Sequence, residues 1–536
     1  MLILIPLFFL SSAAVTILLL QWFRPNFGFY WLLASVAAFL AWLSMILLRL
    51  RLPITLMLVE WKPQDLFNAS PALLLDRFSW PYGLALITLT FAAILTASAR
   101  AQYDSNPYTW AGSLAVSALG LVAILAGNPL TLMMAWVAVD LVEFVILQGS
   151  ALQGSVPDQR AAERIILAYS ARTVGVLLFF LAIVLGGADS SAFSFKHISI
   201  QTGLLIFLGC GLRLGVLPMH LPFSHEPRLR QGLGTILRLV PVVSTLVPLA
   251  RLPGNIIPDT WSPWLLALVS LTALYSGAMW LTADDELNGR PYWMLGWAAL
   301  AFTCVIRGSP IASVAWGIVL LLQGGFLFLY SAREKVLGFL PALGVLGMIG
   351  LPFTPAASGW AGLFEPGFNF FSVLVYVAQC LLLAGFIRHA LRKGDSLVAI
   401  DRWAQVVYPI GLIFFMITDV ILGIWGWPGS LTSAYAWAGI LPMLGCGLFL
   451  VVIWRHIEIP IEPIKNVIIL QRVQNGLKRL SIIFRLDWLY GLIGAVYRTA
   501  GQVLNEVSAV LEGDGGVLWA LLLLSLLISL ISAGGF

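Results

Sequence analysis

Charge is what this sequence has least of. Only 10% of its 536 residues are Asp, Glu, Lys or Arg, against about a quarter in soluble domains, which excludes an ordinary water-soluble fold. Cysteine is nearly as scarce. Cys210, Cys304, Cys380 and Cys446 stand singly in apolar runs. That spacing suits neither zinc, an iron–sulfur cluster nor a disulfide framework, so they read as small buried hydrophobes. The chain has no Rossmann glycine fingerprint, no paired haem histidines and no basic patch interleaved with aromatics. It is therefore expected to hold no cofactor, no metal, no nucleic acid, and no redox or catalytic site of its own. Lysine is missing from every long apolar run.

What is present is hydrophobicity: 60% of residues, in long runs from end to end, the mark of a polytopic all-α membrane protein. Abundant Gly and Pro fit that class. A barrel would alternate, and these runs do not. About sixteen spans are expected, at 1–21, 28–50, 78–98, 109–127, 129–148, 162–186, 199–220, 232–251, 261–283, 291–306, 309–331, 336–362, 370–392, 405–426, 432–455 and 516–534. The first run lacks a charged start and a cleavage site, so it reads as a span and not a signal peptide. Loops after odd-numbered spans carry thirteen Lys or Arg (Arg24, Arg290 and Arg388 among them), those after even-numbered spans seven. The positive-inside rule then puts both termini on the outer face. Between the last two spans, residues 457–513 contain stretches with an apolar face at helical period and a basic opposite face, as in a helix lying along the membrane surface. That connector could be a plain interfacial helix or a brace along neighbouring subunits.

Seven ionisable residues fall inside spans: Asp140 and Glu143, Arg172, Arg213 and His220, Arg238, and Asp419. Each costs on the order of 3 kcal/mol at mid-span and is a functional candidate by default. Asp140 and Glu143 are three apart and share a helix face. With Arg172, Arg213 and Arg238 they make a polar row across one half of the bundle, readable as a hydrated ion path or as a structural network. His220 could relay a proton or be a satisfied structural histidine, and Asp419 stands isolated. "GVLP" (Gly215–Pro218) has an echo in "IGLP" (Ile349–Pro352). Paired broken helices, here placed at Pro218 and Pro352, point to a transporter built of repeats.

These stretches also carry a family resemblance. "LDRFSW" (Leu75–Trp80), "AGNPLTLMMAW" (Ala126–Trp136), "SARTVG" (Ser170–Gly175), "RLGVLPMH" (Arg213–His220), "ELNGR" (Glu286–Arg290) and "GLP" with "SGWAGLF" (Gly350–Phe364) resemble, in order, motifs of the antiporter-like membrane subunits of respiratory complex I. These are a proton-translocating family related to multisubunit cation/proton antiporters. The likeness covers roughly residues 75–365, and the connector further resembles the distal L/chain 5 type. The resemblance implies two inverted five-helix repeats with broken helices 7 and 12. The chain then divides into 1–108, 109–251 (first repeat), 261–392 (second repeat), 405–455, the connector 457–513 and the last helix 516–534. It also implies sister antiporter-like subunits, the lipid bilayer, and protons or Na+ as partners, and a multi-pass place in a bacterial plasma membrane.

The departures are chemical. Val137 stands where the family has glutamate, Arg213 where it has the span 7 lysine, and Leu237, beside Arg238, at the span 8 position. Ile318 and Leu363 (with Glu365 nearby) replace the ionisable groups of spans 11 and 12. A buried lysine can release its proton; an arginine essentially cannot. Family membership implies proton translocation coupled to quinone reduction, whereas these residues imply a weakened or inactive path. Asp140, Glu143, Arg172, Arg213, His220 and Arg238 are the candidate proton-path residues. Two alternatives stand beside this reading. One is a subunit of a cation/proton antiporter, membrane-bound hydrogenase or inorganic-carbon-uptake complex; the other is a scaffold subunit that transports nothing.

Overall fold

The computed structural model describes residues 1–58, 70–100, 106–152, 158–187, 198–222, 231–333, 335–364, 369–392, 401–426, 439–456 and 515–532, with scattered positions between. It divides into one unit of residues 1–475 and a second of 476–536. Among the described residues, the first unit runs through sixteen helices. They are α1 (Leu4–Phe23), α2 (Tyr30–Leu48), α3 (Ser79–Thr96), α4 (Pro107–Ile124), α5 (Pro129–Leu152), α6 (Gln159–Gly187), α7 (Ile200–Leu214) and α8 (Leu233–Leu246). Then follow α9 (Ser262–Thr282), α10 (Glu286–Ile306), α11 (Ser313–Leu329), α12 (Phe339–Met348), α13 (Pro355–Phe364), α14 (Phe370–Ala390), α15 (Arg402–Trp425) and α16 (Ile440–His456). The second unit contributes α17 (Gly515–Ser532), a leucine-rich helix. Most of the connector 457–513 lies outside the described residues.

Among the described residues, eleven helices are long and apolar enough to cross a membrane. The protein is an all-α, multi-pass integral membrane protein. Helices α3, α8 and α11 form its centre and are buried nearly end to end. The peripheral helices show solvent-side rows of large apolar residues, as on α6 with Ile166, Val174, Leu177, Leu181, Val184 and Leu185. In water such a continuous apolar surface would aggregate; in lipid it is the required exterior.

Three details differ from the sequence expectation. The segment expected at 336–362 is two short helices, α12 and α13, parted at Gly350–Pro352. Helix α10 begins at Glu286 rather than 291, because Asp285 caps it through Asn288 N (2.7 Å). Arg290 is thereby drawn from a loop into the buried interior, and Arg388 likewise sits buried in α14. The loop charge tally behind the terminal orientation loses both.

Between α2 and α3 a short antiparallel hairpin pairs β1 (Ile54–Met57) with β2 (Ala72–Leu75). It serves as a dock. Leu74 N donates to Leu125 O (2.7 Å) and Gly127 N to Ala72 O (2.8 Å). Asn128 holds the turn before α5 by accepting from Thr131 N and donating to Ser70 O. A Cβ at Gly127 would come within 3.1 Å of the Ala72 carbonyl, which explains the glycine in "AGNPLT".

The Asp-x-x-Ser stretch closes the start of α3. Asp76 Oδ1 accepts from Phe78 N, Ser79 N and Ser79 Oγ, and its other oxygen pairs with Arg251 at 3.2 Å. Burial pushes the Asp76 carboxyl up, but the Arg251 guanidinium and the hydrogen bonds from Ser79 and Phe78 outweigh it and hold the group below its ordinary value. Folding therefore favours the ionised form. Its contribution is complete above the unfolded value of about 4 and is lost as pH falls through the lower folded value. Asp76→Asn is expected to cost about 1–2 kcal/mol at neutral pH. The difference in melting temperature from wild type should shrink as pH falls below about 4.

Candidate functional site

The expected polar row forms one buried cluster on α5, α6 and α7. Asp140 and Glu143 face inward from α5, while Val137, Leu141 and Val145 take the exposed face of the same helix. Arg213 grips Asp140 with both ends of its fork: Nη1 to Oδ2 at 2.7 Å and Nη2 to Oδ1 at 3.2 Å. Its Nε donates to Thr245 Oγ1 on α8 (3.2 Å), and Nη1 also reaches the Arg172 carbonyl (3.4 Å). The guanidinium lies over the Trp136 ring, 4.3 Å from its centre. Bidentate pairing plus stacking is what arginine offers and lysine does not.

Arg172 bridges the two acids. Its Nη1 donates to Glu143 Oε2 and its Nε lies 3.8 Å from Asp140 Oδ1. Two carboxylates and two guanidiniums make a neutral tetrad, which is how charges persist in a low-dielectric interior. Gly175, in the "SARTVG" stretch, makes room for it. A Cβ there would meet Arg213 Cγ at 2.4 Å and the Gly209 carbonyl at 2.9 Å, so α6 and α7 approach backbone to backbone only because position 175 carries no side chain.

The α7 break lies beside this tetrad. The sequence placed it at Pro218; the helix already ends at Leu214, where Gly215 takes the left-handed region (φ 74°) and Val216 N turns back to Gly211 O. A Cβ at Gly215 would sit 2.2 Å from the His220 carbonyl, so the turn requires glycine. His220 is buried at 3% exposure, and its Nδ1 lies 2.8 Å from the Pro218 carbonyl. A carbonyl can only accept, so Nδ1 carries the proton and the buried Nε2, which has no partner among the described residues, presents a lone pair. The second break opens in the same way, at Gly350 (φ 84°) two residues before Pro352.

Arg238 reaches backbone carbonyls at the start of α8. Its Nη1 donates to the Leu229 and Gly234 carbonyls (3.1 and 2.8 Å), while its charge still acts on Glu143 from a distance. It holds the entry turn of α8 instead of completing the tetrad.

In the second half the family's ionisable positions are apolar: Ile318 and Leu363 are buried, and Glu365 lies outside the described residues. In their place runs a row of tryptophans. Trp280, Trp293, Trp297, Trp316 and Trp360 follow one another at centroid distances of 5.2, 5.2, 5.6 and 5.6 Å. Glycines admit these rings: Gly324 faces the Trp293 indole, Gly359 that of Trp316 and Gly350 that of Trp360. Sequence reading missed the row because its members are spread over α9, α10, α11 and α13. It also missed the buried Arg388 and His389 at one end. Arg388 donates to the Leu281 and Ala283 carbonyls (2.5 and 2.9 Å), and His389 Nε2 lies 3.0 Å from Trp280 O. Cationic and polar groups there satisfy the last carbonyls of α9.

A multi-pass helical bundle with a buried charge row next to a glycine-opened helix break is the class these features define. Neither protein-family models nor curated proteins yield a match to the chain. Solved structures do. One similar chain belongs to the membrane-bound sulfane sulfur reductase, an archaeal respiratory membrane complex (TM-score 0.67, 14% identity, 99% of this chain and 100% of that one). A second belongs to the Mrp complex from Dietzia sp. DQ12-45-1b (TM-score 0.69, 15% identity), where this chain is covered fully but spans 63% of the other. A third belongs to respiratory complex I from Thermus thermophilus (TM-score 0.60, 19% identity, 82% of this chain and 99% of that one). The likeness bears out the all-α polytopic membrane fold expected from the sequence.

Proposed function

We propose that this chain is an antiporter-like membrane subunit of a multisubunit, complex I-type respiratory assembly, contributing to proton translocation coupled to quinone reduction. The observation that carries the reading is the neutral Asp140–Arg213–Arg172–Glu143 tetrad at the α7 break, in a fold shared with chains of three such membrane complexes. In this reading residues 109–251 and 261–392 are the two inverted repeats. The partners are other membrane subunits, sister antiporter-like ones among them, and the chain sits in a bacterial plasma membrane with both termini outside.

The chemistry is ion-pair exchange. While Arg213 and Arg172 hold their carboxylates, the acid oxygens are engaged by guanidinium donors. A partner-driven shift of α7 against α5 that withdraws an arginine leaves a buried carboxylate uncompensated, and protonation is the cheapest way to neutralise it. His220 at the α7 break, with its Nε2 lone pair, is the relay assigned to that proton. Return of the arginine expels the proton. The arginines are electrostatic levers here and carry no proton themselves.

The scaffold alternative is favoured by a specific observation too, the tight double grip of Arg213 on Asp140. Proteoliposomes holding the purified complex decide between them. His220→Gln is expected to lower the protons moved per electron pair while leaving assembly intact, and Glu143→Gln to lower it in the fraction that assembles, since it leaves the buried Arg172 charge without its partner. Unchanged stoichiometry in both variants would leave the scaffold reading standing. Co-purification of small antiporter subunits, a hydrogenase or a zinc protein in place of a quinone-reducing arm would move the chain to a related machine.

A further inference from the structure

The tetrad is not the only buried carboxylate. Asp419 on α15, isolated in sequence, is set by the fold against α12 beside Gln323 of α11, close to the second helix break, where Gln379 of α14 reaches the end of α12. Asp419 is 8% exposed, Gln323 0% and Gln379 1%. Asp419 and Gln323 meet on the glycine face of α12. A Cβ at Gly347 would lie 2.4 Å from Asp419 Oδ2 and 3.0 Å from Gln323 Nε2, and one at Gly344 would lie 2.8 Å from Gln323 Oε1. Gln379 Nε2 donates to the Met348 carbonyl (3.1 Å), the last of α12. One turn beyond Asp419, Gly423 lets α15 touch the break itself, against the Phe353 carbonyl.

The polar capacity of this cluster is largely unused. Asp419 Oδ1, both amide atoms of Gln323 and Gln379 Oε1 have no hydrogen-bond partner among the described residues. Buried groups in that state call for an explanation. The contrast with Asp140 supplies one. Asp140 is gripped by the Arg213 guanidinium, which offers donors and no acceptor. The ion pairs among the described residues bring no arginine, lysine or histidine to Asp419; α11 and α12 present amide and glycine backbone to it, and α3, packed along α15, presents Thr88 to the adjacent Thr418 (2.8 Å).

We propose that Asp419, Gln323 and Gln379 form a proton-binding site at the break between α12 and α13. A glutamine amide is a partner for both states of a carboxyl: its Nε2 donates to the carboxylate, and its Oε1 accepts from the acid. Loading forms one O–H bond on an Asp419 oxygen and breaks one in hydronium; no electron moves and no other bond changes. The neutral acid suits an interior where an unpaired carboxylate is costly, and the C-terminal end of α12, carrying partial negative charge, favours an acquired proton. The site lies outside the half in which transport was placed above, and it stands or falls independently of that reading.

Infrared difference spectroscopy of the purified full-length protein, stepped between acid and alkaline pH, tests it. Wild type should show a protonated-carboxyl C=O band that grows with acid and shifts in D2O. Asp419→Asn should lose the band, Asp419→Glu should keep it at a moved frequency, and Gln323→Leu should raise its frequency by removing the acceptor. Superimposable difference spectra for wild type and Asp419→Asn, or an Asp419→Glu spectrum with no moved band, overturn the site. A band abolished by Na+ at fixed pH overturns the assignment of the ligand as a proton. None of these readouts depends on whether the complex pumps.

Discussion

Arg213→Ala is expected to be the most damaging single truncation in the first half of the bundle. Among the described residues it leaves Asp140, 3% exposed, with the more distant Nε of Arg172 as its cationic partner, and it deletes the cover over Trp136. Breaking a buried pair from one side costs about 3–5 kcal/mol, because the orphaned charge remains in low dielectric. The loss should appear as a lower melting temperature of the purified complex, or as failure to assemble. The double variant Arg213→Met with Asp140→Leu removes both charges and should recover much of that stability, since apolar replacement of a whole buried pair is often neutral or better. Arg213→Lys should fall between the two. It keeps the charge and loses the fork and the stacking, so it separates geometry from electrostatics. Melting and assembly indistinguishable from wild type in Arg213→Ala would remove Asp140–Arg213 from any structural or coupling role.

Gly423→Ala is expected to be the costliest of the single-methyl additions in the second half. The new Cβ would stand 1.7 Å from the Phe353 carbonyl oxygen, and that atom is backbone. Phe353 itself holds a positive φ of 67°, so the break has little freedom to yield. Either α15 moves out or the turn between α12 and α13 rearranges, at a cost at or above the usual 1–3 kcal/mol of overpacking. Gly149→Ala on α5 is the matched control. Nothing lies within 4 Å of its added Cβ, and alanine has the better helix propensity, so it should be neutral or slightly stabilising. Equal melting temperatures for the two variants would mean that α15 does not pack on the break as described.

The sequence by itself determined the membrane class, the helical architecture and the list of buried charges. These follow from the energetics of single residues in lipid. A long apolar run must be a helix, and a charge inside one must be accommodated, whatever its neighbours are. The motif order also carried the fold, and "GVLP" and "IGLP" marked the two breaks to within a few residues. Pairing was less legible. Asp140 and Glu143 lie on one helix, so periodicity alone put them on one face; that Arg213 grips Asp140 while Arg238 turns to carbonyls depends on how α5, α6, α7 and α8 are set against one another. The Trp280–Trp360 row and the Asp419–Gln323–Gln379 cluster were invisible for the same reason. Their members come from helices far apart in the chain, and each residue alone reads as ordinary interior. Only the tertiary structure decides which side chains share a buried space. In that space a carboxylate clamped by arginine and a carboxylate facing amides become chemically different groups.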